Sequence, residues 1–184
     1  MITERVNISR EEYDNLLTKI SLLEAQLRFL GQHKTLALGM AGEQLVAKLS
    51  GGITTGHTSR HDIEMQKGQK IEVKTASISV PVAAKPNSGK RWQWHKIYGQ
   101  DGGKTYDWLV LVGRADPRYK GLYLDEDSEY VIFLIPYNEL ANYITSGNMI
   151  VLSSNPITAS GRSAGMFSDR QVLARDLAGM VGPA

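Results

Sequence analysis

The sequence predicts an α/β or α+β domain built on a mixed central sheet flanked by helices, with an added helix at the N-terminus. Three observations predict it. Two stretches of helical periodicity open the chain. An alternating pattern around a turn, "HDIEMQKGQKIEVKTA" (61–76), reads as a β-hairpin. Two near-continuous apolar runs, "YDWLVLVG" (106–113) and "EYVIFLIP" (129–136), have the composition of strands covered on both faces.

In chain order, residues 8 to about 32 are expected to be helical, because Tyr13, Leu16, Ile20, Leu23, Leu27 and Leu30 recur at alternating spacings of three and four. That is a heptad seam of fewer than three repeats. It is open to two readings: packing on the chain's own domain, or self-association into a homodimer through this helix. A second helix is expected over "TLALGMAGEQLVAKLSGG", stopped by Gly51-Gly52. The hairpin follows, then "VPVAAKPNSGKRWQWHKIYGQDGGK", and then the two apolar strands, the second ended by Pro136. "YNELANYITSG" reads as a short helix closed by Gly147 and "NMIVLSS" as a further strand. "FSDRQVLARDLAGMVG" reads as a last amphipathic helix capped by Ser168 or Asp169. The expected organisation is an N-terminal helix over 1–35 and one domain over 36–184.

The chain has 184 residues, 42% of them apolar and 22% charged, which suits a single domain with a real core. A net charge of +2 neither requires nor excludes a nucleic-acid partner. With no cysteine there is no disulfide, thiolate metal site or cysteine nucleophile. No run is long enough for a membrane span and the N-terminus has no signal-peptide pattern, so a soluble cytoplasmic protein with no membrane association is expected. Histidine spacings for a zinc hydrolase, a G-x-S-x-G elbow and a phosphate-binding P-loop are all missing.

The hairpin holds the chemistry. A turn centred on Lys67 pairs residues whose numbers sum to 134, placing Asp62 opposite Glu72 and Glu64 opposite Lys70. Facing carboxylates repel. Glu64 has Lys70 to answer it, but Asp62 and Glu72 have only Lys74, two residues along on the same face. Such a site has net charge −1, which a divalent cation would complete. Oxygen ligands of this kind suit Mg²⁺, and a lysine beside the metal can hold an attacking water or stabilise a phosphate, so the implied chemistry is metal-assisted phosphodiester hydrolysis. The like-charge contact predicts that Asp62→Asn leaves the metal-free protein at least as stable as the wild type. The competing reading is an ordinary hairpin with solvated charges.

Asp62, nine intervening residues and then Glu72-Val73-Lys74 resemble the signature of the PD-(D/E)XK nuclease superfamily, the restriction-endonuclease-like fold. The resemblance spans roughly residues 36–113 and includes Glu43 on the helix before the hairpin. His61 departs from it, standing where the family has proline. The resemblance implies a restriction-endonuclease-like core in which Asp62, Glu72 and the Val73 backbone carbonyl bind Mg²⁺ and Lys74 positions the water. Glu43 would be a further carboxylate near the site. It also implies cleavage of double-stranded DNA leaving 5′-phosphates. Within this class a type II restriction endonuclease is preferred. A Holliday-junction resolvase or a DNA-repair nuclease is the alternative, as is a nuclease fold that has lost catalysis.

For holding DNA, the basic stretch 85–104 offers Lys85, Lys90, Arg91, Lys96 and Lys104, interleaved with Trp92, Trp94, His95 and Tyr98. Lys85, Lys90, Arg91, Trp94 and His95 are the candidate contacts, although packing of Trp92 and Trp94 into the core is the preferred reading for the tryptophans. Arg162, in "TASGRSAGMFSDR", either enters a groove to read guanine or belongs to an ordinary loop. The contrasting class is a non-catalytic protein that binds DNA or self-associates.

Overall fold

The computed structural model describes residues 8–56, 58–77, 91–99, 102–115, 128–145, 147–153 and 162–181. Lys85 and Lys90 lie outside the described residues. The chain divides into two units, Met1–Ala37 and Leu38–Ala184.

The first unit is dominated by helix α1 (Arg10–Gln32). Its start is a capping box. The Ser9 hydroxyl accepts the Glu12 N–H at 3.2 Å, and the Ser9 N–H donates to the Glu12 carboxylate at 2.8 Å, so two otherwise unsatisfied amides are answered. No residue of α1 is buried, and Tyr13, Leu16, Ile20, Leu23 and Leu27 of the seam are all exposed.

Helix α2 (Lys34–Ser50) ends at Gly51, whose φ of +75° is the left-handed turn that closes many helices. Its buried positions, Gly42, Val46 and Ser50, recur every fourth residue and form one stripe. After it come β1 (Ile53–Thr54), β2 (Ile63–Glu64), β3 (Lys70–Ala76), β4 (Arg91–His95), β5 (Trp108–Arg114), β6 (Tyr130–Pro136), β7 (Met149–Ser153), β8 (Arg162–Ser163) and β9 (Gln171–Val172). A six-stranded sheet has the order β1-β2-β3-β5-β6-β9, mixed because β3 and β5 run parallel while its other pairs are antiparallel. A smaller sheet has the order β4-β7-β8. The α+β class with a mixed sheet is as the sequence predicts.

Both faces of the large sheet are covered, which explains the unbroken apolar runs. Along β5, Leu109 and Leu111 point to one face while Val110 and Val112 point to the other. The first face packs on the small sheet through Trp92, Trp94, Ile150 and Leu152, with Phe133 and Phe167 between. The second packs on Val46 of α2 and on Leu177 and Val181 of α3 (Leu177–Val181). Glu72 and Lys74 belong to the first face; Ile71, Val73 and Thr75 belong to the second.

The C-terminal region departs from expectation. The long amphipathic helix predicted over 167–182 is instead a 3₁₀ segment (Ala164–Arg170), strand β9, a second 3₁₀ segment (Ala174–Asp176) and the short α3. Ile132↔Val172 and Phe133↔Gln171 pairing satisfies the outer edge of β6, a tertiary demand that outweighs the helical period. The loop expected around Arg162 is strand β8, parallel to β7 with Leu152 opposite Arg162. The short helix expected over "YNELANYITSG" is present as a 3₁₀ segment, Tyr137–Asn142.

Gly42 sets how closely α2 lies on β3. A Cβ there would overlap the Thr75 hydroxyl oxygen and sit 2.9 Å from the Thr75 Cβ, whereas one at Gly39 would meet nothing within 4 Å. Gly42→Ala should therefore destabilise the protein by about 1–3 kcal/mol through overpacking. Gly39→Ala, in the same helix, should stabilise it by roughly 0.5–1 kcal/mol. Urea denaturation midpoints of the two variants check the opposite signs.

Candidate functional site

The hairpin has the register the alternation predicts: Ile63 pairs with Ile71 and Glu64 with Lys70. Strand β2 is only two residues long, and at Asp62 the contact with β3 continues through one backbone bond and the Asp62 side chain. The Asp62 N–H donates to the Ile71 carbonyl at 3.0 Å, and the Val73 N–H donates to Asp62 Oδ2 at 2.9 Å. The Asp62 carboxylate thereby sits beside Glu72, as expected from the sequence.

Sequence reasoning missed the cation between them. Lys104 Nζ lies 3.0 Å from Asp62 Oδ1 and 2.8 Å from Glu72 Oε2. Lys74 is ion-paired to the other Glu72 oxygen, Oε1. Each of the four carboxylate oxygens thus has its own partner: Lys74, Lys104 twice, and the Val73 N–H. The contact of Lys104 with Glu72 is an ion pair without hydrogen-bond alignment, so Oε2 accepts no hydrogen bond. The −1 site expected from sequence is corrected accordingly. Two carboxylates face two ammonium groups, and the cluster is neutral when all four are ionised.

The segment bearing Lys104 is held from several sides. Its backbone N–H donates to the Tyr98 carbonyl at 3.3 Å and the Thr105 N–H to the Arg60 carbonyl at 2.9 Å. Asp107 and Lys70 exchange bonds at 2.8 and 2.9 Å, fixing the start of β5 against β3. Gly99 has φ +84°, and a Cβ there would lie 2.9 Å from Lys104 Cγ, so a side chain at 99 would push into the lysine stem.

Burial governs the electrostatics. The Glu72 side chain is 0% exposed, and desolvation raises its pKa above the usual carboxylate value; the Asp62 charge adds to this, while Lys74 and Lys104 oppose it. For Lys104, burial pulls the pKa down, but the pairing of its ammonium with the Glu72 and Asp62 carboxylates more than reverses that and holds it above its ordinary value. Beneath the cluster, the buried Tyr106 hydroxyl donates to the Ile97 carbonyl at 2.7 Å, and burial together with the Glu72 charge drives its pKa far upward, so it stays a proton donor.

The other sequence candidates are distributed unevenly. The Val73 carbonyl shares the strand edge of its N–H, on the Asp62 side, because both groups of one strand residue point the same way. Glu43 is half-buried on α2, the helix that covers the opposite face of the sheet from Glu72 and Lys74. Among the described residues no three His, Cys, Asp or Glu side chains converge as a metal set, so the acids brought together are Asp62 and Glu72. Trp94 is not a stacking platform. It is 1% exposed, its Nε1–H donates to the Val112 carbonyl at 3.1 Å, and it packs edge-on against Phe133. His95, next on the strand, points the other way and is exposed. Arg91 begins β4 and Arg162 begins β8.

Asp62 and Glu72 suit a single hard cation, since one oxygen from each already meets at one ammonium. Mg²⁺ commonly takes one or two carboxylates and keeps several waters. Compared with known proteins, the chain matches no protein-family model and no curated protein, so the functional reading rests on this geometry.

Lys104 reverses the stability expected of the Asp62 variant. Asp62→Asn keeps an acceptor for the Val73 N–H but leaves Lys74 and Lys104 over a single carboxylate. In EDTA its urea midpoint should fall by the equivalent of about 1–2 kcal/mol. A midpoint equal to or above the wild type would mean that Lys104 does not offset the pair in solution.

Proposed function

We propose that this chain is a Mg²⁺-dependent endodeoxyribonuclease hydrolysing double-stranded DNA, of the site-specific type II restriction kind. The observation that carries the reading is the convergence of Asp62, just before β2, and Glu72, on β3, on one cation position, with Lys74 anchored beside it on the strand of Glu72. The similarity of Asp62…Glu72-Val73-Lys74 to the PD-(D/E)XK signature supports it, as does the packing of α2 behind the hairpin.

Asp62, Glu72 and the Val73 carbonyl would hold the ion. When bound, Mg²⁺ supplies Lewis-acid activation of the phosphodiester. Lys74, fixed by Glu72, presents its ammonium to the water that attacks phosphorus and to the charge that grows on the phosphate oxygens. Water oxygen bonds to phosphorus, the bond to the 3′-oxygen breaks, and a proton goes to that oxygen, leaving a 5′-phosphate. The buried Leu109, opposite Glu72 in the strand register, and the buried Tyr106 limit water on the inner side of the cluster, which strengthens each of these interactions. His95, exposed at the end of β4, remains a candidate for contact with the DNA backbone.

The exposed seam of α1 favours a second element of this reading, pairing of two copies through that helix. Symmetric cutting of a palindrome takes two sites related by a twofold axis. Among the described residues no helix is long and apolar enough to cross a membrane, so this stripe is not a membrane span.

Incubation with plasmid and Mg²⁺, with EDTA as control, tests the activity. Discrete fragments support site-specific cleavage. A smear points to a nonspecific repair-type nuclease, cutting confined to branched substrates to a resolvase, and unchanged plasmid to a binding protein. Lys74→Ala should slow cleavage by on the order of 100-fold or more while leaving DNA affinity in Ca²⁺ within a few-fold of wild type. Near wild-type cleavage would remove Lys74 from the chemistry. For pairing, Leu23→Asp should shift the sedimenting species from dimer to monomer; a monomeric wild type would overturn the dimer.

A further inference from the structure

We propose that Lys104 is a built-in competitor for the metal: its ammonium occupies the position between Asp62 and Glu72 that a divalent cation takes, and binding of the cation expels the side chain. The inference rests on the reading of Asp62 and Glu72 as a cation site, and adds to it a residue that neither the hairpin nor its signature contains.

The geometry separates the two lysines. Lys74 pairs with Glu72 Oε1 and makes no bridge to Asp62, so a cation can bind with Lys74 in place. Lys104 contacts one oxygen of each acid, the same two oxygens that a single ion would draw together. An ammonium and a divalent cation cannot share that point.

Charge gives the same result. With all four groups ionised the cluster is neutral, so adding a divalent ion without expelling Lys104 would leave +2 around a fully buried carboxylate. Expelling Lys104 leaves +1, a smaller excess suited to an approaching phosphate. The side chain is 23% exposed, so it already has a path to water. The backbone of Lys104 and Thr105 is held by Tyr98 and Arg60, so the displacement is a rotation of the lysine stem with the main chain in place. A side chain of four rotatable bonds and a compact, strongly hydrated head is suited to such a movement; a planar guanidinium forking two carboxylates would be harder to dislodge. The metal-free protein thereby keeps Glu72 compensated, and the apparent affinity for the ion is reduced by the fraction of molecules with the site open.

Titration of DNA-free protein with Mn²⁺ by calorimetry tests this. Lys104→Met should bind Mn²⁺ more tightly than the wild type, by on the order of tenfold. It should also melt at lower temperature in EDTA and gain more from Mn²⁺. Equal or weaker binding by Lys104→Met overturns the proposal. Removing a positive charge nearby would itself favour a cation, so a second measurement on the wild type decides whether the side chain moves. Labelling with an amine-reactive reagent should modify Lys104 several-fold faster in saturating Mg²⁺ than in EDTA, while exposed Lys67 at the hairpin turn reacts alike in both. Unchanged labelling of Lys104 overturns the proposal even if Lys104→Met fails to fold. The two readings fail differently. If the wild type binds Mn²⁺, Asp62→Asn does not, and Lys104 neither competes nor moves, only the role of Lys104 falls. If wild type and Lys104→Met both fail to bind, the cation site falls with it.

Discussion

A carboxylate with no exposed surface must be compensated by charge or hydrogen bonds, or it takes up a proton, and Glu72 imposes that requirement on everything around it. Its burial follows from its position: β3 is an interior strand, and the face bearing Glu72 is covered beyond it by the tryptophan-rich small sheet. Lys74 answers one oxygen from two residues along the same strand. The other oxygen is answered by Lys104, which arrives from the chain segment entering β5. Asp62 completes the group through the end of the hairpin. Stability and candidate chemistry therefore draw on the same four side chains.

The rest of the fold holds those side chains still. The parallel pairing of β3 with β5, from Ile71↔Trp108 to Ala76↔Gly113, places the segment before β5 next to the acids. Trp92, Trp94 and Phe133 fill the space between the two sheets with edge-on ring contacts, and the Trp94 indole is tied to the β5 backbone at Val112. On the other face α2 closes on Thr75 only because residue 42 has no side chain. A site on strands braced from both faces is better pre-organised than one on loops, which suits a cluster whose oxygens must meet at one point. No residue of helix α1 is buried, and its exposed apolar stripe is a separate feature of the chain.

Much of this was legible from local pattern. The periodicity of α1 and α2, the apolar runs of β5 and β6 and the hairpin alternation are each read at short sequence range, and each element formed where the pattern put it, although the α1 stripe is exposed rather than buried. The Asp62–Glu72–Lys74 grouping was legible for the same reason, because a two-strand register follows from face alternation alone. The C-terminal stretch was not. Residues 167–181 satisfy a helical period, but Gln171 and Val172 complete the edge of β6, and no local signal announces an edge that needs a partner. Trp94 was ambiguous in sequence because an aromatic among cations suits either a base or a core; the sheet packed against it resolved the matter.

What the sequence by itself determined was a mixed α+β class, the hairpin register and two acids with one lysine on a shared face. These depend on neighbours within a dozen residues, and the period-two geometry of a strand leaves them little choice. What only the tertiary structure decided was the charge of the site. Lys104 is 32 residues beyond Glu72 in the chain and looks like one more cation in a basic stretch. It becomes the bridging counter-ion because β5 pairs parallel to β3 and delivers the preceding segment to the acids. Parallel pairing needs a long crossover, so the residue that bridges the two acids in space is far from them in sequence, and a pattern read over short windows cannot find it.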